Sequence, residues 1–214
     1  GAAVYTADIQ LPGMLHAKTL RSPHAHARIR SIDTRAALAL PGVHAVITGA
    51  EMPIRYGVIP WTQDENALAV EKVRFLGDEV AAVAAIDEDS ANRALDSIRV
   101  DYEVLHAYFD PEEALRRSDP LIHDTKEQSN VSKHVALSFG DVEAAFRSAD
   151  VVLENDYSFH GTTHAAIEPH CAVAQSTPDG MLTVWSSTQI THYVHRALAR
   201  VLEIEPERIR VVQP

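Results

Sequence analysis

Near its C-terminal end the chain reads Trp185-Ser186-Ser187-Thr188-Gln189. An apolar strand here runs into a polar turn and then into the start of a helix. A glutamine at such a place can aim its amide NH2 at whatever occupies the strand end. Upstream lies Ile167-Glu168-Pro169-His170, where Glu168 could either orient a site or take a buried hydrogen bond. Three of the 12 histidines, His160, His164 and His170, have the H-x3-H-x5-H spacing of the metzincin zinc proteases. The general-base position is Gly161, however, and the turn-glycine position is Ile167. Gly161-Thr162-Thr163 is also a poor helix, so the first two imidazoles do not share a face. The expected reading is a loop whose histidines bond to backbone groups, with no metal residue assigned.

Other pairs are weaker. His24 and His26 would lie on one side of a strand, and two ligands do not close a structural zinc site. His192 and His195 sit one helical turn apart beside the Ser-Thr-Gln turn, where they either form a solvated or partner-facing surface or take a substrate or cofactor role. Cys171 follows His170, but neighbours on a strand point to opposite faces, so a shared proton is not expected. Cys171 reads instead as a small buried apolar residue. Asp87, Glu88 and Asp89 form a capping cluster. Glycine-rich nucleotide cradles are absent. No catalytic residue is therefore assigned from the chain.

The elements that must position these residues follow from periodicity. Strands are expected over 14–20, 27–33, 43–48, 79–86 and 99–105. A short helix over 34–40, capped by Asp33 or Thr34, ends at Pro41-Gly42. Residues 52–67, with Pro53, Gly57 and Pro60, read as a long loop. Ala91, Ala94, Leu95 and Ile98 fall at helical spacing behind the Asp87-Glu88-Asp89 N-terminus. Asp110-Pro111-Glu112-Glu113 is a helix start. Residues 123–132 are polar and aperiodic. Beyond them the pattern predicts a strand over 131–139, a helix over 141–148 and a strand over 151–159. A hairpin is expected around Pro178-Asp179-Gly180, and then a helix capped by Thr191 with Val194, Leu198, Val201 and Leu202 on one stripe. A β-branched strand follows, up to Pro214. The class is a mixed α+β fold.

The 214 residues carry 19 basic and 30 acidic side chains, a net charge of −11. No basic face exists for a nucleic acid. No apolar run reaches the roughly 20 residues of a membrane span, and no signal peptide is visible. One cysteine excludes an internal disulfide framework and an iron–sulfur cluster held by this chain alone. A cytoplasmic setting fits.

Several strings occur together in an order that resembles the large subunit of the molybdenum hydroxylases, the xanthine dehydrogenase and aldehyde oxidase family. Tyr5-Thr6-Ala7-Asp8-Ile9, Leu20-Arg21-Ser22-Pro23-His24-Ala25-His26-Ala27-Arg28-Ile29 and Pro41-Gly42-Val43 resemble the opening of its a/b hammerhead domain. Lys72-Val73-Arg74-Phe75, Gly77-Asp78-Glu79-Val80 and Val100-Asp101-Tyr102-Glu103-Val104-Leu105 are similar to its later strands. Phe139-Gly140-Asp141, Glu168-Pro169-His170 and the Ser-Ser-Thr-Gln turn resemble the start of its molybdopterin-binding region. The resemblance implies a hammerhead domain over 1–106, a linker over 107–130 and the N-terminal portion of a molybdopterin-binding domain over 131–214. It implies a molybdenum cofactor, hydrogen-bonded by Gln189, in an oxidoreductase acting on an aromatic, heterocyclic or aldehyde substrate. It also implies partner subunits or segments carrying iron–sulfur clusters and FAD. The Tyr56-Gly57-Val58-Ile59-Pro60 string and residues 65–74 look most like 4-hydroxybenzoyl-CoA reductase. The family's glycine-rich loop and its late general-base glutamate are not in these residues. An N-terminal piece, inactive alone, is therefore expected. The competing expectations are a stand-alone hammerhead binding or scaffold module and a zinc hydrolase. The reading frame past Pro214 separates the first two: a glycine-rich loop there favours the enzyme, and a stop codon favours the module.

Overall fold

In a computed structural model the described residues are 2–59, 62–124 and 128–214. Pro60, part of the reductase-like string, and residues 125–127 of the expected linker lie outside them. The chain divides into one unit of residues 1–130 with 170–214 and a second of residues 131–169.

In the larger unit, β1 (His16–Arg21), β3 (Val43–Thr48) and β5 (Glu79–Ala85) form an antiparallel sheet ordered β1-β5-β3. A second sheet places β2 (Ala27–Asp33) between β4 (Lys72–Val73) and β6 (Arg99–Val104). Helices α1 (Arg35–Leu38) and α2 (Glu88–Ser97) cover one face of the first sheet. The period-2 rule explains how β5 serves both sheets. Ala81, Val83 and Ala85 pack with Ala37 of α1 and with Ala91 and Ala94 of α2. Val80 turns the other way and joins Ala27, Ala69 and Val73. Alanine predominates among the buried residues where helix meets sheet, and side chains this small let the two surfaces pack closely.

Helix α2 starts where the charge pattern predicts. Asp87 is its N-cap and accepts from the Ser90 N–H at 2.7 Å. Helix α3 (Pro111–Arg116) is capped by Asp110, which accepts from the N–H groups of Glu112 and Glu113. Behind it, residues 121–124 are strapped onto β4. Buried Lys72 donates to the Leu121 carbonyl at 2.8 Å and to Asp124 at 3.0 Å, and Arg74 Nε donates to the Ile122 carbonyl at 3.1 Å.

The third sheet holds β7 (Ala172–Ser176), β8 (Leu182–Ser186) and β9 (Ile209–Val212). β7 and β8 are the expected antiparallel hairpin. β9 runs parallel to β8, so the chain must cross over between them, and α5 (Thr191–Leu202) is that crossover. The helix ends at Glu203, whose φ of 52° places it in the left-handed region, and its N–H bonds back to the Ala199 carbonyl.

Residues 131–169 contain α4 (Val142–Ser148), capped by Asp141. The strands expected over 131–139 and 151–159 do not form among the described residues. Their apolar side chains are present but bare: Tyr157 and Phe159 are 91% and 93% exposed. Alternation gives a strand its faces, but the ladder that holds it requires a neighbouring strand, and none pairs with these segments.

Two consequences can be measured. A Cβ at Gly49 would overlap the Ala69 carbonyl oxygen and sit 2.8 Å from that of Leu68. Both obstacles are backbone, so Gly49→Ala should destabilise by roughly 1–3 kcal/mol in urea unfolding; an unchanged midpoint would contradict the packing described. Around Asp124, burial opposes ionisation, but the Lys72 hydrogen bond and the Lys72 and Arg74 charges win and hold the carboxyl below its ordinary value. A depressed carboxylate stabilises above its unfolded pKa and loses that contribution as pH falls through its folded pKa. Asp124→Asn should therefore cost about 1–3 kcal/mol near pH 7 by leaving buried Lys72 without its carboxylate. The gap from wild type should narrow below about pH 4, the carboxylate range, and a pH-independent gap would refute the ion-pair account.

Candidate functional site at the end of strand β8

The turn between β8 and α5 lies at the carboxyl end of a strand in a β-α-β unit. The loops of such units sit over the strand ends, where α/β folds place ligands. Its backbone is held by one residue. Ser187 N–H donates to the Cys171 carbonyl at 3.1 Å, and Ser187 Oγ donates to the same carbonyl at 3.2 Å and accepts from Cys171 N–H at 2.9 Å. Both backbone groups of Cys171 are thus spent on Ser187, which clamps the start of β7 to the end of β8. Thr188 Oγ1 accepts from Ile190 N–H at 3.3 Å and tightens the next step. Gln189 follows at a bend and is exposed, and no hydrogen bond engages its side chain among the described residues. Its amide is free to donate outward.

The expected Thr191 cap is not there. Thr191 is the first helical residue, and the N-cap is Ile190, which has no side-chain oxygen to offer. The Tyr193 N–H bonds to the Ile190 carbonyl at 3.1 Å, and no side chain caps the helix start that follows Gln189.

The histidines disperse. His24 and His26 lie in the turn before β2 rather than on it. The His24 ring meets Tyr102 edge-on at 5.0 Å, and buried His26 donates through Nδ1 to the His106 carbonyl at 2.7 Å. Burial pushes the His26 pKa down, which favours the neutral ring. His195 Nε2 donates to the Pro206 carbonyl at 3.0 Å, tying α5 to the turn before β9, while His192 is exposed. Cys171 is half-buried rather than buried. Glu168 is half-buried at the end of the 131–169 unit. His160 and His164 are exposed in non-helical chain, and among the described residues no three His, Cys, Asp or Glu side chains gather as a metal set.

Sequence reasoning missed a cavity of about 440 Å³ between α5 and residues 56–58 and 63, lined by Tyr56, Gln63, Tyr193, Arg196 and Arg200. The available signal was the i,i+4 arginine pair on the helix that follows the Gln189 turn.

The fold is a mixed α/β one. A model of the aldehyde oxidase and xanthine dehydrogenase a/b hammerhead domain matches residues 1–106, and one of the molybdopterin cofactor-binding domain matches residues 122–214. The nicotinate dehydrogenase large molybdopterin subunit of Eubacterium barkeri is 40% identical over 100% of this chain and 49% of its own length. A probable xanthine dehydrogenase subunit from Bacillus subtilis is 37% identical over 99% of this chain and 28% of its own. The solved aldehyde oxidoreductase of Desulfovibrio gigas superposes with a TM-score of 0.84 at 30% identity, covering 98% of this chain and 24% of that one. The chain thus spans about half, or less, of the length of these relatives. It belongs to the xanthine dehydrogenase and aldehyde oxidase family, as an N-terminal part of the molybdopterin-binding large subunit.

The dispersed histidines make one expectation concrete. Zinc titrated into the protein calorimetrically should show at most weak, non-stoichiometric heat. A tight one-to-one site abolished by His164→Ala would overturn the reading of 160–170 as a loop without a metal role.

Proposed function

We propose that this chain is the N-terminal part of the molybdenum-cofactor subunit of an oxidoreductase, and that Gln189 holds the cofactor through its side-chain amide. The observation that carries the reading is an exposed, unengaged glutamine amide on a backbone clamped by the Ser187–Cys171 hydrogen bonds. The amide NH2 is a donor, and the helix N-terminus beside it lacks a side-chain cap, so both suit an electron-rich ligand. When bound, the molybdenum cofactor supplies the redox chemistry, while the protein positions and insulates it. Gln189 would donate to an oxygen or sulfur of that group, and Ser187 would keep the amide aimed. The remaining family sequence would add the other walls.

For the substrate, two of the relatives are named for nicotinate and xanthine, both aromatic nitrogen heterocycles, which favours an aromatic or heterocyclic substrate over a simple aldehyde. The narrower likeness to 4-hydroxybenzoyl-CoA reductase rests on the 56–60 string and residues 65–74 alone. Partner subunits or segments holding iron–sulfur clusters and FAD would carry electrons away, since a single cysteine cannot by itself supply the four thiolates of such a cluster. No helix among the described residues is long and apolar enough to cross a membrane, and we place the enzyme in the cytoplasm.

The test is Gln189→Ala in the complete subunit. A hydrogen bond to a charged or strongly polar ligand is worth roughly 1.5–3 kcal/mol, so rate or molybdenum occupancy should fall about tenfold or more while the melting temperature holds. Wild-type rate and metal content in that variant, read by turnover and elemental analysis, would remove the assignment.

A further inference from the structure

Tyr193, Arg196 and Arg200 of helix α5 line one cavity with Tyr56, Gly57, Val58 and Gln63, and its volume is within the range of small-ligand sites. Its electrostatics are unusual for an acidic chain. The protein carries a net charge of −11, yet neither arginine lies within ion-pair distance of a carboxylate among the described residues. Two like charges four residues apart on a helix repel each other, and an anion placed between them relieves that repulsion. Both guanidinium groups are nonetheless held in place. Arg196 lies over the Tyr193 ring at 4.9 Å, and Arg200 Nη1 donates to Gln63 Oε1 at 3.0 Å. Each contact leaves further N–H donors unspent, and the fork of a guanidinium matches the two oxygens of a carboxylate. Tyr193 and Tyr56 give the cavity aromatic walls. Burial raises the Tyr56 pKa, which keeps that phenol neutral, so it does not repel an anion.

We infer that this cavity is a binding site for a small aromatic carboxylate, held at its oxygens by Arg196 and Arg200 and at its ring by the two tyrosines. A neutral amide of the same shape keeps the ring contacts and loses the charge pairing. Inorganic phosphate keeps the charge and loses the ring.

Benzoate, benzamide and inorganic phosphate serve as probes, titrated calorimetrically into the assembled enzyme as isolated. Benzoate should bind about tenfold or more tightly than either of the others. Arg196→Gln and Arg200→Gln should each weaken benzoate about tenfold and leave benzamide unchanged. Gln63→Ala removes the tie between loop and helix but keeps both charges, so it should retain the preference for benzoate over benzamide. Raising salt from low to high should weaken benzoate alone among the two aromatic probes. Equal affinity for benzoate and benzamide, or benzoate binding that survives both arginine changes, overturns the inference, and phosphate binding as tightly as benzoate overturns its aromatic half. Binding is read without turnover, so the inference stands apart from the functional reading. Absent molybdenum in the same sample would count against that reading and not against the cavity.

Discussion

The alternation along β5 is the constraint on which the larger unit depends. One seven-residue strand presents Ala81, Val83 and Ala85 to the helices and Val80 to the second sheet's cluster. A one-residue slip would exchange these two sets, placing Val80 against α2 and alanines in the other core. Neither β1 nor β3 can be displaced without cost, because both take their register from β5, one on either side. The helices then set the scale: methyl-sized residues on both surfaces bring α2 close to the sheet, and that closeness leaves no room for compensation.

The site end of the molecule obeys a different rule. Parallel pairing of β8 with β9 obliges a crossover, and a crossover helix must start just past the end of β8. That geometry alone puts a turn with unspent backbone donors over a strand end. The Ser-Ser-Thr-Gln sequence then divides the work. Ser187 and Thr188 satisfy local backbone groups, and Gln189 is left with nothing local to do. The same helix carries the arginine pair about two and three turns past Gln189, so one element serves both the Gln189 turn and the cavity lined by Tyr56, Gly57, Val58 and Gln63.

Residues 131–169 show what a pattern does not contain. Val135, Leu137 and Phe139, and then Val151, Leu153, Tyr157 and Phe159, are largely exposed. Apolar alternation of this kind is evidence that a face is to be buried, and it is silent on what buries it. The helix in the same unit formed as expected, because its hydrogen bonds and its Asp141 cap are all local.

The same division runs through the whole chain. Local interactions were legible in the residues: β2 and β3 fall on their expected bounds, Asp87 and Asp110 cap the helices they precede, and the Pro178-Asp179-Gly180 turn joins its hairpin. The family strings could be read the same way, since they are contiguous. Tertiary structure decided what depends on residues far apart in the chain. It gave His26 to the His106 carbonyl and His195 to that of Pro206, spending as structural ties two rings that by type alone could have counted as ligands. It buried Lys72 against Asp124, made the two-residue strand β4, and set Arg200 beside Gln63 across 137 positions of sequence. Sequence carries period and local hydrogen bonding. Which distant groups meet is settled by sheet order and helix packing, and only there do the charges of Arg196 and Arg200 acquire a cavity to act in.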